Sequence, residues 1–334
     1  MSRSGPDART GLLFLGAPPV PEMVSLAQRA ERKGFESAWV AETRLTRDAI
    51  TPVAAIASGT ERLRVGTCIV NVYTRNPVLL ALTFATLDEL APGQIVMGLG
   101  AGSPRILATQ GVAFQRPLTR LREYCEVIPR LIAGEEVDYS GAYVDLRRAR
   151  IEDVLVRDGA AAQRRIPLYL AATGPRAVEF AGEAADGVLM NVCLPTAYAR
   201  ERRARLENAA LSAGRDPSEI EVAMCVVVSP HEDSHSGLDA ARRFVAVYLS
   251  LFPNVARETG LAPEYISALA STFAECGVDA AARRVDDDVV NLLSAAGSVD
   301  ECRRRLEEYR TAGVQLPILA PVDGALELTI ESLP

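Results

Sequence analysis

The chain has 334 residues, of which 49% are hydrophobic and 24% charged, a composition typical of a globular protein. Its formal net charge of −7, with no block of basic residues, argues against a nucleic-acid or anionic-membrane partner. The polar start MSRSGPDART predicts no signal peptide, and no apolar run approaches the ~18 residues of a membrane span, so we expect a cytoplasmic protein without a membrane partner.

Short apolar runs alternate with amphipathic segments along the chain. The apolar runs predict eight strands at residues 11–17, 37–42, 64–70, 94–100, 166–172, 187–191, 220–229 and 314–322. The amphipathic segments predict helices at 21–33, 52–58, 78–90, 118–133, from 175 onward, at 196–213 and at 298–311. Gly34 and Gly313 are expected to end the first and last of these helices, and Ser298 with Glu301 forms a capping box.

This alternation predicts the fold class. Strands that alternate with helices imply parallel pairing through right-handed crossovers. Eight strands favour a closed (β/α)8 TIM barrel, an α/β fold, formed by a single domain over residues 1–334. A doubly wound sheet is the alternative, but the G-x-G-x-x-G that it needs does not follow the first strand.

Two segments interrupt the alternation. Residues 134–165 read as a β-hairpin that turns at Ser140 and Gly141. Residues 230–297 are long and mostly helical. Insertions of this size in a barrel are expected to cover the mouth of the active site or to make a subunit contact.

The residues that follow each strand should form the site, because a barrel carries its active site at the carboxyl ends of its strands. These positions hold small and hydrogen-bonding residues, no histidine and no Ser-His-Asp set; Glu42 and Asp48 are their carboxylates. Acid–base hydrolysis and metal catalysis are therefore poorly supported. Backbone amides and small residues suit a bulky cofactor that brings its own chemistry.

Thr173-Gly174-Pro175-Arg176 is the clearest local feature. Glycine permits close approach of a ligand, Pro175 suits a first helical turn, and free N–H groups there attract a phosphate. An ordinary Gly-Pro helix start is the alternative. The glycines at 98, 100 and 102 offer a second close approach or simply permit a turn.

Cysteine and histidine give weaker signals. The six cysteines are scattered without a CxxC pair, which is typical of reduced thiols in a cytosolic protein. Cys68 has no cationic neighbour in the sequence, so we expect its side chain to be structural while its backbone stays open to a functional role. His231 and His235 lack a third ligand, so no metal site is predicted.

Taken together, several segments resemble the luciferase-like superfamily, and within it the coenzyme F420-dependent branch typified by methylenetetrahydromethanopterin reductase. The resemblance lies in SAWVAETRLTRDAIT (37–51), VGTCIVNVYTRNPVLLALTFATLDELAPG (65–93), VMGLGAGS (96–103), PLYLAATGPRAVEFAGEAADGVLMN (167–191) and SAAGSVDECRRRLEEYRTAGV (294–314). It implies a (β/α)8 barrel, a homodimer, and coenzyme F420, or alternatively FMN, across the strand ends.

The resemblance also implies roles for individual residues. The third strand would end in a bulge whose cis peptide, Cys68–Ile69, supports the ring, and Asn71 would hydrogen-bond the ring or its ribityl chain. Glu42-Thr43 stands where several members carry Asp-His or Glu-His, and Ser103 where members often carry an acid, so the usual acid/base candidates are partly missing. Glu42 is the best remaining candidate, with Tyr73 or a bound water as alternatives. The implied cofactor-binding residues are Thr43, Cys68, Ile69, Asn71, Gly100, Gly102, Ser103, Thr173, Gly174, Pro175, Arg176 and Asn191.

The implied reaction is hydride transfer between C5 of the deazaflavin and a small organic substrate, with reduction of C=N or C=C favoured. Two other functions stay open: a reduced-flavin (FMNH2) monooxygenase of the same superfamily, and a cofactor-binding protein without catalysis.

Overall fold

Eight parallel strands close into a barrel, which confirms the predicted fold class. The computed structural model describes residues 9–15, 18–42, 45–151, 165–322 and 324–334. The barrel strands are β1 (Gly11–Phe14), β2 (Ser37–Val40), β3 (Arg64–Thr67) with its continuation β4 (Val70–Asn71), β5 (Ile95–Gly100), β8 (Leu168–Ala171), β9 (Gly187–Met190), β10 (Glu221–Pro230) and β12 (Leu316–Pro321). They pair in the order β1, β2, β3, β5, β8, β9, β10 and β12, and β12 pairs with β1 to close the circle.

Helices connect and cover the strands. They are α1 (Val20–Lys33), α2 (Ile50–Gly59), α3 (Pro77–Leu90), α4 (Pro104–Thr109), α5 (Pro117–Ile132), α6 (Pro175–Ala184), α7 (Thr196–Ser212), α8 (Ser234–Leu251), α9 (Pro253–Ala256), α10 (Pro263–Ala282), α11 (Asp287–Leu293), α12 (Val299–Thr311) and α13 (Leu326–Ser332), with a 3-10 turn at Pro217–Glu219. None of the described helices is long and apolar enough to cross a membrane.

Alternation along each strand builds two apolar layers. In β2, Ala38 and Val40 belong to the cluster that packs under the helices, whereas Trp39 belongs to the cluster that fills the barrel. Successive strand residues point to opposite faces, so a fully apolar strand contributes to both layers. This explains why the strands read as unbroken hydrophobic runs in the sequence.

Trp39 fills the barrel interior and requires glycine beside it. A Cβ at Gly66 would lie 2.6 Å from the indole ring of Trp39. The indole Nε1 donates a hydrogen bond to Ser37 Oγ at 2.9 Å. The one tryptophan is therefore a core residue.

The ends of several helices confirm the predicted signals. Gly34 follows α1 at φ 104°, and Gly313 lies beyond α12 at φ 101°, both in the left-handed region that favours glycine. Ser298 and Glu301 form the predicted capping box of α12. Four short elements were not predicted: α4, α13, the 3-10 turn at Pro217–Glu219, and the strand β11 (Ala295–Gly297), which pairs with β10.

Both predicted insertions are present. The hairpin consists of β6 (Val137–Ser140) and β7 (Asp145–Ala149), paired antiparallel. The remainder of that insertion, residues 152–164, lies outside the described residues. The second insertion contains α8 to α11, as the helical prediction required, and α8 packs on β10 and α10.

Candidate active site

A cavity of about 1550 Å³ opens at the carboxyl ends of the barrel strands. Of the predicted site residues, the following line it: Glu42, Cys68, Ile69, Asn71, Gly102, Ser103, Thr173, Gly174, Pro175, Arg176 and Asn191. Gly100 and Tyr73 do not line it, and Thr43 lies outside the described residues. The barrel thus gathers positions that are more than a hundred residues apart in the sequence.

The third strand is interrupted at the cavity rather than continuous over 64–70. β3 ends at Thr67, the Cys68–Ile69 peptide bond is cis, and β4 resumes at Val70. Thr67 Oγ1 donates to the carbonyl oxygen of Gly98 at 2.7 Å and accepts from the N–H of Gly98 at 3.1 Å. This reciprocal pair fastens the interruption to β5.

Three glycines at the end of β5 and just beyond it, at 98, 100 and 102, are needed for different physical reasons. A Cβ at Gly98 would lie 1.7 Å from the carbonyl oxygen of Thr67, so this glycine is required by packing. A Cβ at Gly100 would lie 2.9 Å from the Ile69 side chain. Gly102 adopts φ +70° at the cavity wall, next to Asn71. Of the three, Gly102 is the glycine that faces the cavity.

Asn71 ends the strand by forming a turn. Its Oδ1 accepts hydrogen bonds from the N–H of Tyr73 at 2.9 Å and of Thr74 at 3.0 Å. An Asn side chain that binds the backbone two and three residues ahead replaces the strand ladder. Its Nδ2 lies 3.4 Å from Glu42 Oε2. The polar cluster at 71–75 is therefore partly a local turn, and its members that line the cavity are Asn71, Thr74 and Arg75.

Glu42 is held at the cavity wall by a partly buried ion pair. Arg75 Nη1 lies 2.8 Å from Glu42 Oε2, and the two side chains are 19% and 17% exposed. The hydrogen bond that Arg75 donates to Glu42 raises the pKa of Arg75. Glu42 Oε1 also accepts from the N–H of Ala49 at 3.3 Å. The carboxylate is therefore fixed in position next to Asn71.

Tyr73 packs beside the cavity without lining it. Its hydroxyl donates to the carbonyl oxygen of Gln115 at 2.9 Å, and its ring stacks on Phe114, a cavity-lining residue, with centroids 5.3 Å apart. The guanidinium of Arg120 lies over the same ring at 4.7 Å. The role of Tyr73 as an acid stays a prediction.

Thr173 to Arg176 join β8 to α6. Gly174 is the N-cap of α6 and Pro175 its first residue, as predicted. The Thr173 carbonyl oxygen accepts from the Tyr198 hydroxyl at 2.7 Å, which fixes the backbone here. Within 4 Å of a Cβ built on Gly174 there is no atom, so the space beside it is open.

Asn191 connects the strand ends with the second insertion. Its Oδ1 accepts from the N–H of Val192 at 2.8 Å and from the Tyr248 hydroxyl at 2.6 Å. Burial is the main cause that raises the pKa of Tyr248. At the base of the cavity, Cys68 Sγ and Cys225 Sγ approach to 3.5 Å.

Sequence reasoning missed the residues that α8 contributes to the cavity. Phe244 and Tyr248 of α8 and Phe252, the residue directly after α8, line one side, and successive ring centroids lie 5.5 and 4.4 Å apart. We call these three residues the α8 wall. Their spacing of four residues marks one face of a helix, and this was the available signal.

The opposite side we call the strand-end wall; its residues are Glu42, Cys68, Ile69, Asn71, Gly102, Ser103 and Thr173 to Arg176. Among the described residues, no three His, Cys, Asp or Glu side chains converge as a metal site. His231 accepts from the N–H of Asp233, and His235 lies near Asp239.

Comparison with known proteins defines the class. The profile of the luciferase-like monooxygenase family matches residues 2–316, and the chain belongs to this family. It is 30% identical over 326 residues to 5,10-methylenetetrahydromethanopterin reductase of Methanopyrus kandleri, covering 93% of this chain and 92% of that protein. It is 29% identical over 324 residues to the Methanolobus tindarius reductase of the same name, covering 96% and 97%.

Solved structures agree with this relationship. The coenzyme F420-dependent tetrahydromethanopterin reductase of Methanopyrus kandleri superposes with a TM-score of 0.86 at 27% identity, covering 98% of this chain and 97% of that one. An F420-dependent secondary alcohol dehydrogenase with an F420–acetone adduct shares the fold, with a TM-score of 0.77 at 22% identity and coverage of 97% of each chain.

Proposed function

We infer that this protein is a coenzyme F420-dependent oxidoreductase that transfers a hydride between C5 of the deazaflavin and a small organic substrate, with C=N or C=C reduction favoured. The relatives named for F420 support the cofactor. The observation that carries the proposal is the open space beside Gly174, at the start of a helix on the cavity wall.

Gly174 passes a direct test of fit. Its φ of −77° and ψ of 157° suit any residue, and no neighbour would meet a Cβ. Every other described glycine with such open surroundings has a positive φ, which explains it conformationally. Neither backbone nor packing requires a glycine at 174, so we attribute it to close approach of a ligand. Backbone N–H groups of the first turn and the Arg176 side chain favour a phosphate there.

The rest of the strand-end wall suits a flat ring. Cys68 and Ile69 present backbone and small side-chain surface at the interruption of the third strand, and Asn71 keeps its Nδ2 group beside the cavity. Gly102 and Ser103 extend this surface along the end of β5. We assign Cys68, Ile69, Asn71, Gly102 and Ser103 to the ring and its ribityl chain.

Two residues named by the resemblance receive other assignments. Gly100 acts by admitting the Ile69 side chain, so its contribution to the cofactor is indirect. Thr173 positions the backbone before Gly174, because its carbonyl oxygen accepts a hydrogen bond from the Tyr198 hydroxyl. Thr43 keeps its predicted role as a proposal, since it lies outside the described residues.

When bound, F420 supplies a two-electron hydride carrier. The chain supplies position: Arg75 holds the Glu42 carboxylate where it can accept a hydrogen bond or a proton from a substrate. The α8 wall closes the other side of the cavity and limits water there. Holding two reactants in contact is the larger part of what such a barrel contributes.

The decisive experiment measures dissociation constants of F420 and FMN for the purified protein by titration calorimetry. Gly174→Ala should leave the free energy of unfolding within about 0.5 kcal/mol of wild type. It should weaken F420 about tenfold or more, because its methyl group occupies the phosphate space. Arg176→Ala should weaken F420 in a salt-dependent manner, whereas Arg105→Ala, on the exposed side of α4, is the matched control.

Unchanged F420 affinity in Gly174→Ala would contradict this placement of the cofactor. A second candidate is a reduced-FMN monooxygenase, which the family description favours. Much tighter binding of FMN than of F420 would favour that candidate. Binding of F420 without turnover of any imine or enone would favour the cofactor-binding protein without catalysis.

Three further expectations stay predictions: a single domain over residues 1–334, a homodimer and a cytoplasmic location. Leu79, Leu82 and Leu90 are exposed on α3 at 48%, 38% and 49%, which supports a subunit contact on that helix. Sedimentation equilibrium of the purified protein tests the dimer.

A further inference from the structure

The two walls of the cavity differ in charge. The charged side chains lining the cavity are Glu42, Arg47, Asp48, Arg75, Arg116 and Arg176, and they come from the loops after β2, β4, β5 and β8. Among the described residues, the ends of β1, β9 and β10 and the α8 wall contribute no charged side chain to it.

The α8 side is apolar and aromatic. Leu13 from β1 and Leu189 and Val192 from the end of β9 line the cavity together with the α8 wall. The Phe244 and Tyr248 rings are nearly coplanar, at 13°, and Phe252 lies against Tyr248 at 32°. A planar apolar molecule gains dispersion and ring contacts against such a surface. A charged molecule would lose hydration there without meeting a counter-charge.

Polar side chains interrupt this apolar surface at Asn191, Tyr248 and Asn254. The Tyr248 hydroxyl points at Asn191 Oδ1, at 2.6 Å, and that oxygen already accepts from the N–H of Val192 at 2.8 Å. Because burial raises the pKa of Tyr248, the phenol keeps its proton throughout the neutral range. The group can therefore donate to an incoming acceptor by turning away from an oxygen that retains its other partner.

We propose that the α8 wall is the substrate-selecting surface, and that it takes a planar, uncharged, largely apolar molecule whose one carbonyl oxygen or imine nitrogen accepts a hydrogen bond from Tyr248. This inference rests on the proposed function, because it names the substrate class of the same cavity. The cavity then has a polar side for the cofactor and an apolar side for the substrate.

A sugar phosphate carries about two negative charges at neutral pH. The apolar α8 side of the cavity offers such a molecule no cation. The inference therefore predicts that this chain discriminates against anionic substrates.

Three ligands of similar shape test the proposal: acetophenone, which is planar, uncharged and carries one acceptor; benzoate, its anionic counterpart; and ethylbenzene, which lacks the acceptor. Their dissociation constants are measured by calorimetry on the protein alone and on the protein saturated with oxidised F420. We expect acetophenone to bind about tenfold or more tightly than benzoate, and a few-fold more tightly than ethylbenzene. Benzoate binding as tightly as acetophenone would overturn the proposal.

Variants locate the effect. Tyr248→Phe should weaken acetophenone about fivefold and leave ethylbenzene unchanged, because only the hydroxyl is lost. Phe252→Leu should weaken both ligands by similar factors, through lost ring contact. Tyr265→Phe is the matched control, since its hydroxyl also makes one hydrogen bond, to the Arg284 carbonyl oxygen, outside the cavity.

Equal effects of Tyr248→Phe and Tyr265→Phe on acetophenone would also overturn the proposal. The ranking of the three ligands on the wild-type protein needs no variant to fold. Failure of F420 to bind contradicts the proposed function, whereas the ligand ranking on the protein alone judges the α8 wall, so the two outcomes are separate.

Discussion

The two walls of the cavity are built from different materials. The strand-end wall consists largely of backbone, glycine and short polar side chains, fixed by the barrel itself. The α8 wall consists of three large rings, two on a helix that belongs to an insertion and one directly after it. Backbone geometry changes little when side chains are exchanged, whereas a helix face is redefined by each substitution. We conclude that the strand-end wall suits a constant ligand and the α8 wall a ligand that differs among relatives.

The strongest way to break this contrast is to disturb the backbone of the strand-end wall. Gly98→Ala places a Cβ 1.7 Å from the carbonyl oxygen of Thr67, where no side chain can yield. We expect a loss of about 3 kcal/mol or more in the free energy of unfolding, measured with urea, together with loss of F420 binding. Phe252→Leu on the α8 wall is the comparison and should cost less; a stable Gly98→Ala would contradict a rigid strand-end wall.

Thiol labelling sharpens the contrast. Cys68 belongs to the strand-end wall and is partly exposed, so bound F420 should cover it. At an F420 concentration of about 100 Kd, alkylation of Cys68 should slow by about tenfold or more. The rate of alkylation is measured by peptide mass spectrometry. Exposed Cys276 is the internal control and should react at an unchanged rate. Equal rates for Cys68 with and without F420 would show that the cofactor lies elsewhere.

The burial of the Tyr248 phenol has a consequence for stability at alkaline pH. Burial raises the pKa of Tyr248 above the value of about 10 that a tyrosine has in the unfolded chain. Above about pH 10 the unfolded chain loses a proton that the folded chain keeps, so stability falls with pH by up to about 1.4 kcal/mol per unit for this group. In urea unfolding, the free energy of unfolding of Tyr248→Phe should fall less steeply with pH than that of wild type. Identical slopes would indicate that the Tyr248 phenol is hydrated in the folded protein.

The smallest expected effect concerns the ion pair of the strand-end wall. A double-mutant cycle with Glu42→Gln and Arg75→Gln, measured on the free energy of unfolding, should give a coupling energy of about 0.5–1 kcal/mol. The value is small because solvent partly screens the pair. The exposed pair Arg122–Glu183, at 2.9 Å with side chains 48% and 39% exposed, is the control and should couple near zero. Equal coupling energies in the two cycles would contradict the conclusion that Arg75 fixes the Glu42 carboxylate at the cavity wall.

The strand-end wall was predicted from sequence because its signals are local. Gly174 with Pro175 marks a helix start, and a run that ends at Asn71 marks the end of a strand. The resemblance added the position of the interruption, and the bond between Cys68 and Ile69 is cis there. Tyr73 shows the limit of this reasoning. Its place after a strand suggested that it lines the cavity, but Tyr73 packs behind Phe114, which does line it.

The amino-acid sequence by itself determined the barrel, because the alternation of apolar runs and helical faces is local information that repeats along the chain. It also determined the helix start at Gly174, since short-range sterics govern that turn. Only the tertiary structure decided that Phe244, Tyr248 and Phe252 face the cavity, and that Tyr248 contacts Asn191, which lies 57 positions away in the sequence. Which face of an inserted helix meets the barrel depends on packing between distant segments, and no local pattern fixes it.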